Sequence, residues 1–110
     1  MVQRKLSLIP TSIPNLLGNE KKYLKDCIDS NYVASSGKYL NLFKKKISKH
    51  NGGGYVTLTS SGSTALHLAL ISLKIKKGDL VFVPSYTFIA TVNAIKLAGA
   101  EPFFVDISEK

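Results

Sequence analysis

The sequence predicts an α/β protein in which parallel strands are covered by helices. From residue 55 onward, apolar segments of strand length alternate with segments of helix length. The segment "LVFVP" (residues 80–84) is apolar without alternation, which is typical of a strand buried on both faces. A chain of 110 residues that is 45% hydrophobic can form one modest core. We therefore expect one domain, or part of one.

The first half predicts an extended segment followed by two helices. "LIPTSIPNLLGN" (8–19) contains two prolines and a glycine, so residues 1–18 should form an extended lead-in. "EKKYLKDCIDS" (20–30) has an apolar stripe typical of an amphipathic helix. A second helix is predicted over residues 39–49, and the glycines of "HNGGG" suit its C-terminal end and a turn.

The second half predicts a regular βαβαβ order. β-branched and aromatic residues in "YVTLT" favour a strand there. The predicted elements are strand 55–59, helix 63–73, strand 80–84, helix 87–99 and strand 102–106. Three strands make a small sheet for this class. We therefore expect residues 19–110 to be an incomplete domain, truncated after its third strand.

The charge is strongly basic, with 15 Lys and Arg against 7 Asp and Glu, for a formal net charge of +8. Only Arg4 is an arginine, and the lysines are spread along the chain. Base readout and bidentate phosphate contacts favour arginine, and single-strand binders interleave basic with aromatic residues. The composition therefore favours a solvated lysine surface, with no nucleic-acid partner.

Membrane, metal and disulfide chemistry have little support in the sequence. No apolar run approaches the roughly 20 residues of a membrane span, and the N-terminus lacks the apolar region of a secretory signal. Cys27 is the single cysteine, and His50 and His67 stand apart from other metal-ligand types. We expect no membrane association, no metal and a cytoplasmic location.

The stretch "TSSGSTALHLAL" (59–70) predicts a tight elbow before an apolar helix. The first turn of a helix presents unpaired N–H groups and the positive end of the helix dipole, a favourable site for phosphate. A P-loop is excluded because no lysine follows Gly62 at the required spacing. A dinucleotide fingerprint is excluded as well. It would need three glycines and an acidic residue after the next strand, whereas "SSGST" has one glycine and no acidic residue ends "LVFVP". A monophosphate held by this short Ser/Gly/Thr elbow remains, beside the alternative of a well-capped helix without a ligand.

A second stretch repeats this layout. "VPSYTFIATVNAIKLAGAEPFFVDI" (83–107) reads as strand, elbow, helix, turn and strand. Together with "SGSTALHLAL" and the upstream "GNEKKYLKDCIDSNYVASSGKYLNLFKKKI" (18–47), it resembles the sugar aminotransferases of the DegT/StrS type. These are pyridoxal-phosphate enzymes of the aspartate-aminotransferase fold. The resemblance spans residues 9–107 and is greatest to members that make amino sugars of surface polysaccharides, such as legionaminic acid or perosamine.

The resemblance assigns roles to particular residues. Family members hold the cofactor phosphate with the two residues after the elbow glycine, which here are Ser63 and Thr64 beside Gly62. They stack an aromatic ring on the pyridine, a role that falls on Phe88, for which core packing is the alternative. Asn93 is polar within an apolar helix and is a candidate for the same site, with helix capping or packing as the alternative.

The resemblance implies an amino transfer, from L-glutamate to the keto group of a nucleotide-linked sugar, by a homodimer. The family's Schiff-base lysine, the aspartate that pairs with the pyridine nitrogen and the small C-terminal domain all fall beyond residue 110. We therefore expect no catalytic residue within this chain, which alone should be inactive. Lys44 stands where the family usually has an acidic residue, a surface position of little consequence. Two alternatives remain open: a non-catalytic basic binding module, and a sugar dehydratase of the same fold.

Overall fold

A computed structural model describes residues 9–108 of the chain. The elements in chain order are α1 (Glu20–Asp29), α2 (Lys38–His50), α3 (Gly62–Ser72), β1 (Leu80–Pro84), α4 (Ile89–Leu97) and β2 (Glu101–Val105). Residues 9–18 contain neither helix nor strand. The chain divides into two compact units, residues 1–43 and 44–110, and the division falls within α2.

In the first unit, polar and aromatic contacts join α1 to the start of α2. The rings of Tyr23 and Tyr39 lie 4.9 Å apart between centroids. The hydroxyl of Tyr39 donates to the Asp26 carboxylate at 2.9 Å, and the Lys38 ammonium pairs with the same carboxylate oxygen at 2.5 Å. The hydrogen bond from Lys38, followed by that from Tyr39, lowers the pKa of Asp26 below its ordinary value.

This cluster predicts an acid-sensitive contact between α1 and α2. Because the folded-state pKa of Asp26 is lowered, its contribution to stability is present above the unfolded pKa of about 3.9 and is lost as the pH falls through the folded value. Asp26→Asn should remove the acid-dependent part of the Tyr39 ring resonance shift, measured by NMR between about pH 2 and 6. Asp29→Asn is the matched control, since among residues 9–108 Asp29 forms an ion pair with Lys25 of the same helix and with no other residue. An equal change in both variants would contradict the prediction.

The second helix ends at the predicted glycines. The N–H of Gly52 donates to the carbonyl of Lys49 at 3.2 Å, and that of Gly53 donates to Ser48 at 2.7 Å. Both glycines have positive φ values, +76° and +118°, which side-chain-bearing residues adopt at a cost. The predicted end of α2 is therefore confirmed.

The second unit is built around a parallel pair of strands. Leu80 of β1 pairs with Glu101 of β2, and the register continues to Pro84 with Val105. Helix α4 is the crossover between them, as parallel strands require. The core lies between one face of the sheet and the helices, and consists of Val83, Ile95 and Ala100 with partly buried Leu70, Ile75, Val81 and Val92 against them.

The predicted strand at residues 55–59 is wrong. These residues form no strand, and β1 and β2 are the strands of the described part of the chain. A strand exists only when a neighbour accepts its hydrogen bonds, and the sheet of residues 9–108 has no third member to supply one. The side chain of Tyr55 is fully exposed. The β-propensity of "YVTLT" is therefore insufficient to form a strand without a neighbouring strand to pair with.

Burial on both faces of the sheet was also predicted, and the described residues bury only one. Val83 on the helix-facing side is 1% exposed, whereas Phe82 on the opposite side is 71% exposed. Phe82 and Phe103 form an edge-to-face pair on this open side, with centroids 5.2 Å apart. The unalternating apolar pattern is therefore not matched by the burial pattern within residues 9–108.

None of the helices among residues 9–108 combines the length and apolar content that a membrane crossing requires.

Candidate functional site

The N-terminal ends of α3 and α4 point toward the same edge of the sheet. At the opposite edge, the N–H of Glu101 donates to the carbonyl of Asp79 at 2.9 Å, and Gly99 lies against Lys77. The turn after α3 and the turn after α4 are thus adjacent where the strands begin. Because α3 and α4 also pack against each other, both helices start near the carboxyl ends of β1 and β2. Ligands of open α/β sheets bind at this edge.

A reciprocal capping box starts α3. Ser61 is the N-cap, with extended backbone (φ −159°, ψ 164°), and its hydroxyl accepts from the N–H of Thr64 at 3.3 Å. The N–H of Ser61 donates in turn to the hydroxyl of Thr64 at 3.1 Å. The predicted elbow and helix start are therefore confirmed, with a threonine where such boxes usually carry Glu or Gln.

Two backbone donors of this elbow are left for a ligand. Among the described residues, no group accepts a hydrogen bond from the N–H of Gly62 or of Ser63. The Ser63 hydroxyl likewise has no hydrogen-bonding partner there, and its side chain is exposed. A Cβ placed on Gly62 would meet nothing within 4 Å, so the approach to these donors is open. Two amides and a hydroxyl at the positive end of a helix form a donor set suited to an anion.

Phe88 lies at the corresponding position of the second helix. It is the N-cap of α4, with extended backbone and no side-chain capping bond, and its ring is 78% exposed. Helix 87–99 was predicted to start one residue earlier than this cap, and it starts one residue later, at Ile89. Core packing, the alternative for Phe88, is excluded within the described residues because the ring is exposed. Its place at the carboxyl edge of the sheet is where a stacking ring would be needed.

Asn93 is exposed in the middle of α4, and its side chain forms no hydrogen bond with the described residues. Within residues 9–108, its side chain therefore neither packs in the core nor caps a helix end. It follows Phe88 by five residues, which places it about 7.5 Å further along the axis and about 140° around the helix. The geometry does not bring Asn93 together with Phe88, and its role in the site stays a prediction.

Ser61 is not among the site residues that the sequence predicts, although it organises the elbow. Neither its hydroxyl nor its backbone is free for a ligand. The signal was present as Ser61 followed three residues later by Thr64, a capping-box spacing with an unusual third residue.

The fold and site define a class of protein: an α/β domain with unpaired amides at the start of α3 and an exposed aromatic ring at the start of α4. The chain belongs to the DegT/DnrJ/EryC1/StrS aminotransferase family, whose model matches residues 14–110. Pyridoxal phosphate is the cofactor of this family. The resemblance seen in the sequence is therefore confirmed.

One relative and two solved structures show what the chain is similar to. It is 48% identical over 101 residues to GDP-perosamine synthase of Escherichia coli O157:H7, covering 92% of this chain and 28% of the synthase. The PLP form of the sugar aminotransferase Spr1654 from Streptococcus pneumoniae matches with a TM-score of 0.79 and 29% identity, over 91% of this chain and 25% of that one. A GDP-4-keto-6-deoxymannose-3-dehydratase matches with a TM-score of 0.74 and 28% identity, over 86% and 26%.

The chain thus spans about a quarter of the length of these proteins. The residues present nevertheless fit one part of the cofactor. The donors at Gly62 and Ser63 suit a phosphate, and the exposed ring of Phe88 suits a flat heterocycle.

Proposed function

We propose that this chain is the N-terminal part of a pyridoxal-phosphate-dependent sugar-nucleotide aminotransferase and supplies its phosphate cradle. One combination supports this most: the free donors of Gly62 and Ser63 at the start of α3, and the exposed ring of Phe88 at the start of α4, a helix that packs against α3. The elbow binds the phosphate, and the ring of Phe88 confines one face of the pyridine and excludes water from it. When bound, pyridoxal phosphate supplies the electron sink that amino transfer requires.

The proposed substrates follow from the relatives. The match to a GDP-perosamine synthase supports a nucleotide-linked keto sugar as the acceptor of the amino group. We propose L-glutamate as its donor, and a cytoplasmic homodimer in which both subunits complete each site. The chain's own contribution is binding and orientation, because none of its lysines is assigned to a site position by the resemblance. The lysine that binds the cofactor covalently would belong to the remainder of the protein.

The first test is to extend the reading frame past Lys110 and express the longer product. An aspartate at a strand end followed by a lysine in a serine-rich loop is the expected continuation. The purified protein with pyridoxal phosphate should then show an absorbance band at the edge of the visible range that borohydride removes. A folded, extended protein without such a band would overturn the proposal and favour a non-catalytic binding module.

A sugar dehydratase is the second candidate, and one observation favours it: a dehydratase shares this fold with a TM-score of 0.74. Both activities would use the same phosphate cradle and ring, so residues 9–108 do not separate them. The extended protein should be incubated with a nucleotide-linked 4-keto-6-deoxy sugar and glutamate, and the product examined by mass spectrometry. Replacement of the keto oxygen by an amino group supports the aminotransferase, whereas loss of a ring hydroxyl without nitrogen gain supports the dehydratase.

Phe88→Ala should weaken cofactor binding without destabilising the protein. An offset-stacked aromatic pair contributes about 0.5–1.5 kcal/mol, so the Kd of pyridoxamine 5′-phosphate should rise roughly 2- to 12-fold. The ring is 78% exposed, so the apo protein should lose little stability. Isothermal titration calorimetry on the extended protein measures the first effect and thermal unfolding the second.

Tyr86→Ala is the matched control for Phe88→Ala. Tyr86 lies with Phe88 in the segment between β1 and α4, is 86% exposed and has no proposed role. If both variants weaken cofactor binding equally, the ring of Phe88 does not stack on the cofactor.

A further inference from the structure

The first unit contains a cavity that the cofactor site does not use. It lies between the end of α1, the connecting residues 30–37 and the first turn of α2, and its volume is about 690 Å³. Cavities of roughly 300–1,000 Å³ with apolar and aromatic walls and a few polar groups are typical sites for small molecules. The groups that line this cavity therefore indicate what it binds.

An aromatic ring, that of Tyr32, forms one wall of the cavity. The backbone of Tyr32 is held at the end of α1, because its N–H donates to the carbonyl of Cys27 at 2.9 Å. The ring lies against Gly37, where a Cβ would stand 2.9 Å from the ring atom Cε1. The lack of a side chain at Gly37 thus makes room for the ring, and Tyr32 remains 53% exposed. Tyr32 is therefore a positioned flat surface on which a planar ligand stacks.

Two polar side chains of the cavity have no partner within residues 9–108. The hydroxyl of Ser36 and the side-chain amide of Asn41 line the cavity and form no hydrogen bond there. The backbone of Asn41 is held in the first turn of α2, since its N–H donates to the carbonyl of Gly37 at 3.1 Å. An apolar ligand would displace water from both groups without replacing its hydrogen bonds, at a cost in affinity. The cavity therefore favours a ligand with hydrogen-bonding edges.

A cation completes the lining of the cavity. The ammonium of Lys38 pairs with the Asp26 carboxylate at 2.5 Å, and this contact uses one of the three donors that a lysine carries. The other donors of Lys38 are left for a negatively charged group of a ligand. A simple anion would use this ammonium but not the ring of Tyr32, so the lining as a whole suits a larger ligand with a planar part and a charged part.

We propose that this cavity binds the nucleotide part of the sugar-nucleotide substrate. The base stacks on Tyr32, the amide of Asn41 bonds to the edge of the base, and the ammonium of Lys38 attracts the phosphate. The hydroxyl of Ser36 is the group for the ribose. This assignment rests on the proposed function and extends it, since it gives the first unit a role in substrate binding that is separate from the cofactor elbow.

The test measures nucleotide affinity in the extended protein by isothermal titration calorimetry. The probes are guanosine 5′-monophosphate, uridine 5′-monophosphate and ribose 5-phosphate, which carries the sugar and phosphate without a base. Because a base stacked on an aromatic ring contributes strongly, the Kd of ribose 5-phosphate should exceed that of the tighter nucleotide about 5- to 150-fold. Tyr32→Ala should raise the Kd of that nucleotide by a similar factor. Tyr32→Phe keeps the ring and should restore the wild-type Kd.

Further variants separate contact with the ligand from support of the loop. Asn41→Ala should raise the Kd of the nucleotide about 2- to 12-fold, the effect of one hydrogen bond. Lys38→Gln should weaken the nucleotide but not the corresponding nucleoside, which lacks the phosphate. Equal weakening of both would contradict the phosphate contact, since Lys38 would then only support the loop. Tyr55→Ala is the control, because Tyr55 is a fully exposed aromatic residue outside the cavity and its loss should leave the Kd unchanged.

Three outcomes distinguish a failure of this assignment from a failure of the proposed function. Unchanged nucleotide affinity in Tyr32→Ala and Asn41→Ala would overturn the assignment alone, because the nucleotide would then bind elsewhere. Failure of both nucleotides to bind an extended protein that shows the borohydride-sensitive band would overturn the assignment and the nucleotide-linked substrate, but not the cofactor. Absence of the band, with nucleotide binding that still depends on Tyr32, would overturn the proposed function and support the cavity as a nucleotide site.

A second measurement uses the 110-residue chain, which contains all the residues that line the cavity. Guanosine and uridine are titrated in turn into the ¹⁵N-labelled chain, and the amide signals are followed by NMR. The assignment expects the signals of residues 32–41 to move and those of residues 80–105 to stay. Movement confined to residues outside 32–41, or no movement with either nucleoside, would contradict it.

Discussion

Replacing Ser63 by aspartate is expected to weaken cofactor binding strongly while leaving the fold intact. The carboxylate would stand at the second residue of α3, where the helix dipole favours a negative charge, so the apo protein should be as stable or slightly more stable. The same charge would repel a phosphate at the neighbouring amides. We expect the Kd of pyridoxamine 5′-phosphate to rise roughly 100-fold, equivalent to about 2.8 kcal/mol.

Ser63→Asn is the matched control, because asparagine has nearly the same shape as aspartate without the charge. It should raise the Kd far less than the aspartate does. Calorimetric titration with the phosphate ligand gives both values, and thermal unfolding of the apo proteins gives their stabilities. If both variants bind equally well, no phosphate lies at the start of α3. If Ser63→Asp lowers the stability of the apo protein, the loss of binding would reflect misfolding instead.

The second large effect concerns the core of the second unit. Ile95 is 2% exposed and packs with Val83 and Ala100 between α4 and the sheet. Truncation of a buried isoleucine to alanine lowers the free energy of unfolding by about 2–5 kcal/mol. The buried core of this unit is small, so the remaining contacts compensate little. Ile95→Ala should therefore remove the cooperative unfolding transition of the 110-residue chain, followed by far-ultraviolet circular dichroism in urea.

Leu97→Ala provides the comparison within the same helix. Leu97 is two residues further along α4 and is 70% exposed, so its truncation should change the free energy of unfolding by no more than about 0.5 kcal/mol. A transition lost equally in both variants would mean that this core does not hold the second unit together.

Local signals in the sequence were sufficient for most elements. Strand β1 was predicted at its observed bounds, because an unbroken apolar run between a Gly-Asp turn and a proline leaves little alternative. The start of α3 followed from Ser, Gly and Thr before an apolar helix. Gly99, with φ +84°, ends the turn after α4 as glycines do beyond helix ends. Each signal lies within a few residues of the feature it determines.

The prediction of a strand at residues 55–59 failed for a non-local reason. Its residues favour extended backbone, but a strand is defined by hydrogen bonds to a neighbour that may be distant in the chain. The exposed face of the sheet around Phe82 has the same non-local origin. An apolar pattern shows that a strand is suited to burial on both faces, but the element that covers the second face must come from another part of the protein.

The sequence by itself determined the α/β class, the elbow at Gly62 and the membership of an aminotransferase family, because these depend on periodicity, turn chemistry and motif order. Which donors of the elbow are free is decided by the capping box, whose hydrogen bonds are local to residues 61–64. Ser63 and Thr64 are adjacent and chemically alike, yet the capping box occupies the hydroxyl of Thr64 and leaves that of Ser63 unpaired. Only the tertiary structure decided that Phe88 and the elbow lie toward one edge of the sheet, since that depends on how α3 packs against α4 and how α4 packs against β1 and β2.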